Sequence, residues 1–188
     1  MPPKAKVTKE LILEAAMEMV RTAGIGCLNA RSLAARLGCS TQPIFSQYDS
    51  MEVLKADVLE KAYGRYLSYL KEDMDSGAYP AYKASGMAYI RFAGEEKELF
   101  KLLFMRDRTG EEKAVGPDWE IVCEVIQKNT GLSREMAERF HLEMWCFVHG
   151  IAAMSATSYL QLDMQTMSRM LTDSYEGLKA RFAGRDIK

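Results

Sequence analysis

Apolar residues recur every three or four positions along almost the whole chain. No segment alternates apolar and polar side chains with the period of two that a half-buried strand requires. That pattern points to an all-α fold, and 48% hydrophobic residues in a 188-residue chain are enough to build a real core. Glycines and prolines punctuate the pattern, and about nine helices fit between the breaks. Thr8 can cap a first helix whose apolar stripe is Leu11, Ile12, Ala15, Ala16, Met19 and Val20, stopped at Gly24 and Gly26. Asn29 can cap a second helix from Ala30 to Leu37, stopped by Gly38. Ser40 can cap a third from Thr41 to Tyr48, with Pro43 in its first turn where a missing N–H costs nothing. Asp49 or Ser50 caps a long fourth helix, about 50–75, that ends before Ser76, Gly77 and Pro80. The rest reads as helices over Ala81 to Ala93, Glu95 to Arg106, Pro117 to Asn129, Ser133 to Leu160 and Met164 to Phe182. Their breaks fall at Gly94, Gly110, Gly116, Pro117 and Gly131. The eighth is expected to be the longest. Its small residues Gly150, Ala152, Ala153, Ser155 and Ala156 would let another helix come close.

The stretch L-A-A-R-L-G-C-S-T-Q-P-I-F-S-Q-Y, from Leu33 to Tyr48, carries the chemistry. Helix, glycine turn and helix fit within 19 residues from Ala30, which is the helix-turn-helix layout. Leu33, Ala34, Leu37, Ile44 and Phe45 can form its small core. Thr41, Gln42, Ser46 and Gln47 point outward with the donors and acceptors that pair with base edges and phosphates. The positive N-terminal end of this helix favours phosphate. A hairpin in an ordinary helical bundle can also turn on a glycine. It would need a second apolar stripe on the outward face of its second helix, where no large apolar residue is expected.

Charge agrees with a polyanionic partner at one end. Met1 to Tyr48 carries a net +3 and Asp49 to Lys188 a net −4. The basic tail residues Lys179, Arg181, Arg185 and Lys188 read as a solvated helix end. Cys27, Cys39, Cys123 and Cys146 form no C-x-x-C pair, so neither a disulfide framework nor a zinc ribbon is expected. Cys146 and His149 share a helix face at i, i+3, but no third ligand is evident, so no metal site is expected. No cofactor is expected either. Met1 to Lys9 is polar and basic, without a signal-peptide core, and no apolar run approaches the roughly 20 residues of a membrane span. A cytoplasmic location with reduced thiols is expected.

The head resembles the TetR family of transcriptional regulators. Its first helix has a central alanine pair, Ala15 and Ala16. Asn29 to Leu54 then follows the pattern T-v-r-x-I-A-x-x-x-G-v-S-x-x-x-l-Y-x-x-F-x-s-K-e-x-L at Leu33, Ala34, Gly38, Ser40, Ile44, Phe45, Tyr48, Ser50, Glu52 and Leu54. Asn29 stands where the family has Thr, and both can cap. Met51 stands where it has Lys, near a DNA phosphate. Ala88 to Phe104 is similar to a fifth-to-sixth-helix segment of one branch, and Trp145 to Met154 resembles that branch's Trp…His-Gly segment.

The resemblance implies two domains, 1–50 for DNA binding and 51–188 for ligand binding and dimerisation, with helix four as connector. It implies a homodimer on a palindromic operator, a repressor released by a small molecule, and no enzyme. Candidate DNA contacts are Asn29 and Arg31 at helix two, with Ser40, Thr41, Gln42, Pro43, Phe45, Ser46, Gln47 and Tyr48 along helix three. Candidate ligand contacts are Tyr89, Phe92, Phe100, Phe104, Trp119, Cys123, Trp145 and His149, aromatic and soft side chains of the kind that line apolar pockets. Candidate dimer contacts are Phe147, Gly150, Ile151 and Met154 on the eighth helix and Met167, Leu171 and Leu178 on the ninth. Two rivals remain from the residues themselves. An enzyme would need a nucleophile elbow, an H-E-x-x-H or a phosphate-cradling loop, and none is present; no catalytic residue is expected. A protein–protein adaptor with a vestigial helix-turn-helix fits the loss of Lys at Met51.

Overall fold

The computed structural model describes residues 7–109 and 119–183. The expected breaks at Gly110, Gly116 and Pro117, and the charges at Lys4, Lys6, Arg185 and Lys188, lie outside the described residues. Within them there are nine α-helices and no strand. The helices are α1 (Lys9–Ala23), α2 (Ala30–Leu37), α3 (Gln42–Phe45), α4 (Met51–Asp75) and α5 (Ala81–Glu95). They continue as α6 (Lys97–Phe104), α7 (Trp119–Thr130), α8 (Arg134–Ala156) and α9 (Met164–Ala183).

Packing divides the chain into two compact units. The first is residues 1–68 and 96–106, and the second is 69–95 and 107–188. The first unit therefore holds the head together with the first part of α4 and α6. Its core is Ile12, Ala16, Val20, Leu33, Ile44, Leu54, Val58, Leu99 and Phe100, contributed by every helix of the unit. The second unit is built on α5, α7, α8 and α9. One of its clusters joins Ile126, Leu132, Ala137, Phe140, Met144 and Phe182.

Local chemistry explains most helix ends. Thr8 accepts the Leu11 N–H at 3.2 Å, and Ser50 accepts the Val53 N–H at 3.3 Å. Asn29 Oδ1 accepts the N–H groups of Arg31 and Ser32, while the Asn29 N–H donates to Ser32 Oγ, a reciprocal cap. Gly38 closes α2 at φ 64°, a left-handed conformation that a side chain would strain.

Two ends differ from expectation. α3 has four residues instead of running from Thr41 to Tyr48, and Ser40 does not cap it. The hydroxyl of Ser46 donates to the Pro43 carbonyl at 2.7 Å, and the Gln47 N–H turns back to Ile44 at 3.0 Å. The last turn tightens instead of continuing. α8 stops at Ala156, not Leu160, so α4 is the longer helix. There Thr157 Oγ1 donates to the Ala153 carbonyl at 2.8 Å, and Ser158 takes a positive φ of 57°.

Close helix approach occurs at Gly86 on α5. A Cβ there would lie 3.0 Å from Leu171 Cδ2 and 3.5 Å from Val148 Cγ2. Gly64 on α4 has nothing within 4 Å of that position. Gly64→Ala should therefore stabilise by about 0.5–1 kcal/mol through helix propensity. Gly86→Val should cost about 1–3 kcal/mol through overpacking. Urea midpoints check both, and a neutral Gly86→Val would contradict the packing.

Candidate functional site

In the first unit, α2, the Gly38 turn and α3 form the hairpin. Arg31, Ser40, Gln42, Phe45, Ser46 and Gln47 are exposed, and Thr41 and Pro43 are half-buried. Asn29 is exposed, but its side-chain oxygen is occupied as the α2 cap. The expectation that no large apolar side chain faces outward fails at Phe45, which is 48% exposed. Tyr48 is corrected from a DNA contact to a core residue. It is only 2% exposed, and its hydroxyl is buried without a hydrogen-bond partner among the described residues. Burial pushes its phenol up to about 12, with the Asp57 carboxylate adding to the effect. The Lys9 ammonium sits 4.8 Å from the ring centroid. One turn after buried Ile44, this ring lies on the inward face.

A charged knot fixes the same unit. Glu96, just before α6, is the one buried charged residue among those described. Arg21 Nε of α1 donates to its Oε2 at 2.7 Å, and Arg65 Nε of α4 donates to its Oε1 at 2.8 Å. Burial raises the carboxyl, but the two guanidinium hydrogen bonds outweigh it and hold it below the usual range. The sequence shows only an acidic run, Glu95, Glu96 and Glu98. Nothing in its spacing marks the middle residue as buried, because its partners are 75 and 31 residues away.

The expected ligand set is divided between the units. Phe100 and Phe104 lie on α6 of the first, with ring centroids 5.3 Å apart. The other six lie in the second. There Tyr89, Trp145 and His149 come together. The Tyr89 hydroxyl and His149 Nδ1 are 2.9 Å apart, and the Trp145 ring stacks on the imidazole at 5.3 Å and 25°. Phe92 is core and packs edge-on against Tyr69. Trp119 lies 4.6 Å from His141, whose Nδ1 is 3.1 Å from the Tyr82 hydroxyl. Buried Cys123 interacts electrostatically with Tyr82, and burial pushes its thiol up. Sequence reasoning placed none of Tyr82, His141 and Tyr175 among the candidates, and the Tyr175 ring lies 5.9 Å from that of Tyr82. Tyr82–His141 and Tyr89–His149 form two rungs between α5 and α8, which therefore run parallel. Among the described residues no group of three His, Cys, Asp or Glu could hold a metal ion. Nor is any described helix long and apolar enough to cross a membrane.

Comparison with known proteins bears on most of the second unit, on α6 of the first, and on the fold. Residues 82–175, half of the chain, match the family described as tetracyclin repressor-like, C-terminal domain. The chain belongs to the TetR family. Its fold is similar to the crystal structure of a candidate transcriptional regulator from Pseudomonas aeruginosa PAO1. The TM-score is 0.70 at 18% identity, over 96% of this chain and 98% of that one. No curated protein matches by sequence.

In this TetR-family chain the expected dimer residues separate by burial. Ile151, Met167 and Leu171 are 3–5% exposed within the single chain. They pack into the chain's own core, since an apolar stripe marks burial without saying against which partner. Phe147, Met154 and Leu178 are half-buried, and the Cβ position of Gly150 meets nothing within 4 Å. Leu142 and Trp145 on α8 and Met164 on α9 are the large apolar side chains these helices expose.

Both histidines of the rungs are held neutral. Burial pulls His141 down to about 4 and lowers His149 as well. The unfolded chain protonates such a group near pH 6.5, so stability should fall as pH drops from about 6.5 towards 4. Between pH 7.5 and 5, His141 should contribute a loss of about 2 kcal/mol. Urea unfolding of His141→Gln should narrow the wild-type difference by that amount. An unchanged difference would mean that His141 titrates normally.

Proposed function

We propose that this TetR-family regulator binds duplex DNA through residues 1–50 and represses transcription as a cytoplasmic homodimer. In this reading, residues 51–188 bind a small molecule that releases the protein from a palindromic operator, and α4 connects the two parts. The observation that carries the reading is the hairpin face. α3 presents Gln42 and Phe45, followed by Ser46 and Gln47, exposed on a short helix held by the Gly38 turn. An amide that donates and accepts suits an adenine edge, and an exposed aromatic ring suits a thymine methyl in the major groove. Ser40 and Thr41 before the helix, with Arg31 and Asn29 at α2, supply the remaining polar groups. For the small molecule, the cluster of Tyr89, Trp145 and His149 is favoured over the wider aromatic set. Tyr89 and Trp145 both meet His149, and a Tyr–His hydrogen bond beside a stacked indole offers polar anchors next to an aromatic face. For the dimer, exposed Leu142 and Met164, half-buried Phe147, Met154 and Leu178, and open Gly150 support a surface on α8 and α9. Closed two-fold dimers are also the commonest assembly.

The test is Gln42→Ala on a duplex selected from random sequence by the wild type. Binding to that duplex should weaken by about 1–3 kcal/mol while binding to unrelated duplex is unchanged. An equal loss on all sequences would make Gln42 a phosphate contact. Absence of salt-dependent duplex binding by the wild type would favour the adaptor reading.

A further inference from the structure

The cations of the first unit fall into two groups. Most are committed to carboxylates. Lys9 pairs with Asp57 at 3.1 Å, and Lys61 pairs with Glu14. Arg21 and Arg65 hold Glu96, and Lys101 holds Glu98 at 2.6 Å. Lys97 and Arg106 also have partners. Arg31, Arg36 and Lys55 are the described cations of this unit without a carboxylate within 4 Å. All three lie in the segment that carries α2, the turn, α3 and the start of α4. Arg31 and Arg36 are exposed, and Lys55 is half-buried.

This division decides which charges a polyanion would meet. A cation already paired must give up its carboxylate before it can serve a phosphate, whereas an unpaired one neutralises phosphate and releases counterions directly. The basic excess read along the first 48 residues therefore misplaces the grip, because Lys9 and Arg21 are spent inside the unit. Lys55 lies four residues after Met51 on α4. That spacing puts both on one helix face, one turn apart. Resting on the DNA-binding reading above, we infer that Arg31, Arg36 and Lys55 form the phosphate-gripping set of the head. Lys55 adds a cation in the second turn of α4, and Lys9 and Lys61 take no part.

Each of the two new members has a simpler role to be separated from this one. Arg36 sits in the last turn of α2, where a cation favours the helix dipole. Lys55 helps to lower the carboxyl of Glu52 one turn earlier, after the larger effects of the Glu52 N–H and Ser50. Loss of either role would show in the melting midpoint and leave the salt dependence of DNA binding unmoved.

The experiment compares R36A/K55A with K9A/K61A in the full chain. Both variants remove two positive charges, so their long-range electrostatics match, and exposed ion pairs contribute little to folding. The measurement is log K for duplex DNA against log salt, on the selected duplex and on a random one. For R36A/K55A the slope should become shallower by about 2 per bound chain, equally on both duplexes. For K9A/K61A it should stay within about 1 of wild type. An unchanged slope for R36A/K55A, or an equal change in both variants, overturns the inference while the DNA-binding reading stands. A wild type that binds no duplex at any salt overturns both.

Discussion

The first unit depends on one carboxylate. Glu96 lies buried at the start of α6 and accepts a guanidinium from α1 on one oxygen and another from α4 on the other. A buried charge of this kind is tolerable only with its partners in place, so the three helices are held in one arrangement instead of sliding past one another. The neighbouring contacts conform to it. The Phe100 N–H bonds the Glu96 carbonyl at 2.8 Å, opening α6 where acidic residues complement the helix dipole. Gly24, at the end of α1, takes a positive φ of 77° that a side chain would strain, and it lies beside the Glu98 carboxylate. Through α1, the same knot supports the core on which the hairpin of α2 and α3 rests.

Legibility in the sequence followed the range of the interactions. α2 was readable to the residue, because the Asn29 cap and the Gly38 turn act within one helical turn of its ends. The end of α3 was not, because the apolar pattern does not register a Ser46 hydroxyl bonded back to Pro43. Tyr48 matched a family position and was read as a contact, but in three dimensions that position packs inward. Glu96 was invisible because its partners are distant in sequence. On α8 and α9 Ile151, Met167 and Leu171 were read as dimer contacts and are buried within the chain, because an apolar period does not separate a chain's own core from a second copy. The hairpin's polar face was legible at Gln42, Ser46 and Gln47, which are exposed, although the Ser46 hydroxyl is bonded back to Pro43.

The second unit has a different character. Its centre is a seam of parallel α5 and α8 in which aromatic rings meet imidazoles, Tyr82 with His141 and Tyr89 with His149. Such rungs are polar and directional inside an otherwise apolar interior that includes Phe92, Phe140 and Phe182. Neutral imidazoles hydrogen-bonded to phenols hold one geometry without adding a buried charge. The two units thus solve the problem of a polar interior in different ways, one with an ion knot and the other with neutral pairs. The family's C-terminal match, residues 82–175, takes in both neutral pairs and also Glu96 and α6 of the first unit.

Selection of bound fragments from random duplex DNA tests the central claim most directly. The expected result is enrichment of an inverted repeat whose half-sites lie about one helical turn, or a multiple of it, centre to centre. Each half-site should be protected by one hairpin. Enrichment of nothing, or of sequences without two-fold symmetry, would contradict the account.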